Sequence, residues 1–177
     1  MMTFYCDIQL IRRGNGRPAV AAAAYRAGER IWSAGGGYWC NYSCKGGVVH
    51  KEILLPGSAP AEYADRAVLW NNVEAIEHEE HAWLAWELCC ALPLELPLTQ
   101  HACLVRTYAR QSFVVHGLCA DICIHDRGNQ NPHAHIMLPT QPIQQDGSWG
   151  LSWVRPDAAD IWRAEWEEVW RERMRFT

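Results

Sequence analysis

An α+β domain, built on a mainly antiparallel central sheet with helices packed mostly on one face, is predicted by three observations. The 177 residues are 49% apolar, enough for one substantial core. Segments of period two alternate with segments of period 3.6 in the order β-α-β-α-β-α-β-β-α. The last two strands are adjacent, which makes a hairpin and therefore an antiparallel pair.

Each element has its own signal. Residues 3–12 (TFYCDIQLIR) alternate as a strand, and RGNGRP supplies a turn. Pro18 opens an alanine-rich helix, PAVAAAAYRAGERI, because its missing N–H costs nothing in a first turn. SAGGGYWCNYSCKGG reads as a flexible loop, and VVHKEILLP (48–56) as a strand stopped by Pro56 and Gly57. From Pro60 to about Glu80, Tyr63, Ala67, Trp70, Val73 and Ile76 recur at threes and fours, the pattern of an amphipathic helix. WLAWELCCAL (83–92) is a strand, and Thr99 is positioned to cap a helix reaching Phe113. Strands 119–126 and 133–140 flank RGNQNP, and Pro156 opens a last helix carrying Trp162, Trp166, Val169 and Trp170 on one side.

Absent features narrow the class. No apolar run approaches the roughly 18 residues of a membrane span, and Asp7, Gln9, Arg12 and Arg13 break any secretory signal. A single domain over 1–177, with no second domain and a cytoplasmic location, is the expectation. The eight cysteines lack a zinc-ribbon spacing, and reduced, buried thiols are expected of Cys89, Cys90, Cys119 and Cys123.

The net charge of −4 conceals an uneven distribution. Residues 1–60 carry seven cations against three anions, whereas 61–100 carry one against eight. Fourteen of the 16 cations are arginine, whose forked guanidinium matches a phosphate.

The segment HDRGNQNPHAHIML carries the chemistry. Side chains at i and i+2 of a strand share a face, so His133 and His135 project together. A return antiparallel connection sets His125 beside them. Three neutral imidazoles with open remaining positions form a catalytic rather than a structural metal site. Imidazole accepts zinc, manganese, iron, cobalt or nickel, so the residues leave the ion open. Asp121 shares the strand face of His125 and is placed to orient a ligand ring. Tyr25, by contrast, is one of six tyrosines, and pattern alone does not single it out.

With these segments in view, the chain resembles the MobA/MobL plasmid-mobilisation relaxases of the His-hydrophobe-His (HUH) endonuclease superfamily. The likeness rests on RPAVAAAAYRAGER, GVVHKEILLP, ALPLELP and ADICIHDRGNQNPHAHIMLPT and covers roughly residues 4–150. It implies an HUH-relaxase-like fold. It also implies a strand transferase that nicks single-stranded DNA at a transfer origin and stays joined to the 5′ end through tyrosine. By the same resemblance Tyr25 is the nucleophile and His125, His133 and His135 hold a divalent ion, Mn2+ or Mg2+ before Zn2+. Glu87 corresponds to a family acidic residue that acts as a base or orients a histidine. Arg12, Arg13, Arg17, Arg26 and Arg30 then form a phosphate-tracking face, with Trp32, Tyr38, Trp39 and Tyr42 available for base stacking. Relaxosome accessory proteins and a coupling protein are the implied partners.

Departures are present. Trp83, Trp86, Cys89 and Gln141 stand where members commonly carry polar or charged residues, and members commonly continue into a further domain. Two other readings stand beside the nicking enzyme. One is a three-histidine zinc hydrolase or oxygenase; the other is an inactive DNA-binding homologue.

Overall fold

The computed structural model of the protein describes residues 5–14, 18–77 and 79–175. Five strands form one antiparallel sheet in the order β1-β5-β7-β6-β4, comprising β1 (Cys6–Arg12), β4 (Val48–Leu54), β5 (Trp83–Ala91), β6 (Ala120–His125) and β7 (His133–Pro139). A separate hairpin pairs β2 (Arg30–Ser33) with β3 (Tyr38–Asn41). Four helices complete the fold: α1 (Ala19–Ala27), α2 (Arg66–Ile76), α3 (Leu98–Ser112) and α4 (Ala158–Met174).

The α+β class and the antiparallel sheet are as expected, but the helices are not mostly on one face. In β6 and β7 the residues Ala120, Ile122, Ile124, Ala134, Ile136 and Leu138 pack with α3 and α4. The opposite face receives α1 and α2. Central strands buried on both sides must be covered twice, and their near-continuous apolar runs record that demand. On the α3–α4 side, the Tyr108 hydroxyl donates to the Trp162 carbonyl at 2.7 Å, and Trp162, Trp166, Val169 and Trp170 are buried as the last helix's spacing predicts.

Boundaries differ where backbone conformation overrides propensity. α1 stops at Ala27 because Gly28 turns left-handed at φ 62°, so Arg30 to Ser33 enter a strand instead of continuing the helix. The expected glycine-rich loop, 33–47, therefore contains β3, which pairs with β2 in a hairpin whose Ile31 and Cys40 are buried while Trp32 and Trp39 are exposed. The helix expected from Pro60 is a single 3-10 turn followed by α2, which Asp65 caps by accepting from the Ala67 and Val68 N–H groups at 2.7 and 3.2 Å. α3 begins directly behind Pro97, so Thr99 sits inside its first turn and not at the cap. All eight cysteines are free; Cys90, Cys119 and Cys123 are buried as expected, whereas Cys89 is only half-buried. No described helix is long and apolar enough to cross a membrane.

Candidate metal centre and tyrosine cleft

The β6–β7 register builds the histidine cluster. His125 pairs directly with His133, and His135 pairs with Cys123 one step along, all on the sheet face covered by α1 and α2. The rings pack with centroids 4.8 to 5.4 Å apart, and one nitrogen from each lies within 4.8 Å of the others. The strand alternation and return hairpin thus bring together the three residues they were expected to.

Protonation and hydrogen bonding suit a cation. His125 Nε2 donates to the Arg26 carbonyl at 2.6 Å, which leaves its Nδ1 as a lone pair. His133 Nδ1 donates to the Asn131 carbonyl at 2.9 Å, which leaves Nε2. Burial, opposed by that carbonyl bond and reinforced by Lys45, pulls His125 down to about 4. Burial also lowers His135, although Glu87 resists. The lowered basicity of His125 and His135 leaves their nitrogens free for a divalent ion, and three convergent imidazole donors fit one. When bound, such an ion supplies positive charge for oxygens of an anionic group in the cleft.

The shift carries a testable sign. In metal-free protein, unfolded His125 takes up a proton near pH 6.5, whereas the folded residue resists until about pH 4. Stability should therefore fall as pH drops through this window. Thermal unfolding in chelator across pH 4 to 7 should show a shallower decline for His125→Gln than for the parent; parallel curves would refute the assignment.

Glu87, on β5, joins this centre from the side. Its Oε1 lies 3.3 Å from His135 Nδ1, off the line of a good hydrogen bond, and it pairs with Arg26 Nε. Burial alone would raise its pKa, but the His135 and Arg26 contacts outweigh that and bring it to about 2.

Tyr25 occupies the last turn of α1 with 43% of its surface exposed. It borders two clefts. One, of about 300 Å³, also receives His125, His133, His135, Lys45 and Arg127; the other, of about 570 Å³, receives Arg12, Arg26, Tyr42, Gln9 and Glu87. The helix end is docked onto the centre through its own carbonyls, the groups that lack intrahelical partners. The Tyr25 carbonyl accepts from Lys45 Nζ at 2.8 Å, and the next one along, Arg26, accepts from His125. The Tyr25 ring meets Tyr42 edge-on at 5.2 Å. Burial, then the nearby Arg26 charge, pulls Lys45 down to about 8.

Asp121 does not orient a histidine. Its carboxylate is held by Arg66 through Nε at 2.8 Å and Nη2 at 2.7 Å, and by Trp70 Nε1 at 2.8 Å. It lies on the same strand face as His125 but four residues away, beneath α2, where a buried guanidinium needs a counter-ion. Arg66 was not foreseen: one arginine on an amphipathic helix carries no sign of pointing inward.

The five arginines also separate. Arg12 lies 4.0 Å over the Trp83 ring and borders the larger cleft, and Arg26 is turned onto Glu87. Arg30 stacks 4.1 Å over Trp39 on the β2–β3 hairpin. Arg13 does not join a phosphate face; it donates to the Glu74 and Glu77 carbonyls at 2.5 and 2.8 Å, capping the C-terminal end of α2. Arg17 lies outside the described residues. Lys45 and Arg127, passed over in the sequence, border the histidine cleft instead.

This five-stranded antiparallel sheet with helices on both faces is a fold shared with solved conjugative relaxases. A solved structure described as the molecular basis of vancomycin resistance transfer in Staphylococcus aureus superposes with a TM-score of 0.91 at 25% identity, covering 98% of this chain and 93% of that one. The metal-bound conjugative relaxase TrwC in complex with oriT DNA shares the fold with a TM-score of 0.58 at 12% identity, over 97% of this chain and 69% of that one. Residues 17–160 match the MobA/MobL family, and the chain belongs to it. Mobilization protein MobL of Acidithiobacillus ferridurans is 36% identical over 202 residues, spanning 99% of this chain and 53% of MobL. Conjugal transfer protein TraA of Agrobacterium fabrum is 36% identical over 157 residues, which are 83% of this chain and 14% of TraA. The chain thus spans about half of MobL and a small part of TraA.

Proposed function

We propose that the chain is a metal-dependent strand transferase that nicks single-stranded DNA at a transfer origin for plasmid mobilisation, with Tyr25 as nucleophile. The supporting observation is that Tyr25 and all three histidines border one cleft. In this reading His125, His133 and His135 would hold Mn2+ or Mg2+, with Zn2+ the alternative, and the ion would supply positive charge for the phosphate oxygens. The Tyr25 phenol gives up its proton to solvent as its oxygen attacks phosphorus in line, the P–O3′ bond breaks, and the departing oxygen takes a proton back from solvent to become a 3′-hydroxyl. A 5′-phosphotyrosine remains, so attack by a 3′-hydroxyl reverses the reaction and reseals the strand. A phenol is a weak nucleophile until a base or cation favours its anion.

Glu87, held acidic by Arg26 and His135, has little appetite for a proton near neutrality. Its role here is to position those two side chains. Arg12 and Arg26 face the DNA backbone, while Trp32, Tyr38 and Trp39 on the hairpin and Tyr42 beside Tyr25 offer exposed rings to unpaired bases. Accessory proteins and a coupling protein belong to the same reading, since a nicked strand must be delivered for transfer.

The test uses a pool of 3′-labelled single-stranded oligonucleotides with Mn2+ or Mg2+, followed by denaturing electrophoresis. Label should migrate with the protein, because the downstream fragment is joined by its 5′ end, and chelator should abolish the adduct. Binding without cleavage would point to an inactive homologue, and cleavage without any adduct to a hydrolase.

A further inference from the structure

The strongest unassigned group beside the tyrosine is Lys45, in the turn that follows β3. Its backbone N–H is tied to the Tyr42 carbonyl at 2.9 Å. Its carbonyl packs 3.4 Å from where a Cβ on Gly28 would stand, so the turn is pressed onto the end of α1. From this anchored base the side chain makes two contacts with a single residue. Nζ donates to the Tyr25 carbonyl at 2.8 Å and sits 3.8 Å from the centre of the Tyr25 ring. Among the described residues no carboxylate stands at ion-pair distance from that ammonium, and Lys45 borders the histidine cleft.

A hydrogen bond to a helix-end carbonyl fixes where the ammonium is, because partial negative charge there favours a cation. A cation seated against an aromatic ring resists rotation of that ring, because tilting it away forfeits the electrostatic attraction of the π face. The two contacts therefore act together: the first places the cation and the second sets the ring. Tyr42, edge-on to the same ring, closes another side. An exposed tyrosine without such restraint would sample several rotamers, of which few direct its oxygen at the cleft.

We propose that Lys45 is a positioning residue of the strand-transfer reaction, holding the Tyr25 ring so that its hydroxyl faces the cleft formed by His125, His133 and His135. The inference rests on Tyr25 being the nucleophile. Lys45 forms no bond to the DNA in the step; it raises the fraction of protein in which the phenolic oxygen is aimed at phosphorus.

The experiment measures single-turnover adduct formation by the 177-residue chain with saturating Mn2+. The substrate is one single-stranded oligonucleotide recovered from a pool by covalent capture. Parent, Lys45→Met, Lys45→Gln, Lys45→Arg and Tyr25→Phe are compared. Lys45→Met should lower the rate at saturating DNA by about tenfold to a hundredfold, the scale of a misplaced reacting group. Its oligonucleotide affinity should stay within about threefold of the parent and its Mn2+ affinity unchanged. Lys45→Arg should recover most of the rate. Lys45→Gln, which retains a donor for the carbonyl but loses the cation, should fall close to Lys45→Met. Should Lys45→Met fail to fold, the Gln and Arg variants decide the matter through the same rate. A rate at saturation within twofold of the parent overturns the proposal. So does weakened affinity with an unchanged saturated rate, which would make Lys45 an ordinary backbone contact. An adduct that persists in Tyr25→Phe overturns the nucleophile assignment itself and is recognised separately from any effect at Lys45.

Discussion

Tyr25→Phe should lower the rate of covalent protein–DNA adduct formation by at least about a thousandfold, because on the proposed mechanism it removes the attacking atom and leaves only binding and electrostatic assistance. The substitution is conservative for everything else the ring does. The edge contact with Tyr42 and the Lys45 and Arg26 cations near the ring depend on the π system, which phenylalanine keeps. At 43% exposure the loss of one oxygen should change unfolding stability by less than about 0.5 kcal/mol. Oligonucleotide and metal affinity should likewise remain near parental values. Measuring adduct, total cleavage and binding in parallel makes the result decisive. If strand cleavage continues without an adduct, water is the nucleophile and the three-histidine hydrolase is correct. If the adduct itself persists, another residue attacks.

Asp121→Ala should carry the largest cost in stability, about 3–5 kcal/mol, the range for removing one partner of a buried ion pair. The carboxylate and the Arg66 guanidinium have only 2% and 8% of their side-chain surface exposed. Deleting the anion strands that cation under α2 and also takes the acceptor from Trp70 Nε1. Asp121→Asn keeps the volume and an acceptor while removing the charge, so a smaller but clear loss of about 1–3 kcal/mol is expected. Urea unfolding reads both. Mn2+ binding to the folded Asn variant should match the parent, because Asp121 acts on α2 and not on a histidine ring. A tenfold loss of Mn2+ affinity with intact stability would restore the orienting role expected from its strand position.

That reversal shows where reading by residue type reaches its end. The period-two rule placed Asp121, Cys123 and His125 on one face correctly. It had no means of knowing that α2 would lower an arginine onto the first of them. Arg13 failed the same way: its charge and neighbourhood suited a phosphate, but the end of α2 lies within reach and offers unpaired carbonyls. The β2–β3 hairpin was obscured because four-residue strands are too short for alternation to stand out from a glycine-rich background. Glu87 and Tyr25 came forward only through the family resemblance, since a carboxylate in an apolar strand and a tyrosine in an alanine helix have bland explanations.

What this amino-acid order determined by itself was local: the five strands of the main sheet and the four helices among them, though not the β2–β3 hairpin, together with the return at RGNQNP and the convergence of His125, His133 and His135. Spacing within a hairpin settles which side chains meet, because backbone geometry leaves no other option. The tertiary structure alone decided how separate stretches use one another. It put two helices on each face of the sheet, gave Asp121 to Arg66, turned Arg13 into a cap, and brought Tyr25, Lys45 and Glu87 to the histidines. Those contacts join residues up to about a hundred positions apart, as with the His125 bond to the Arg26 carbonyl. They follow from which apolar faces bury together, a competition among all elements that no single segment encodes.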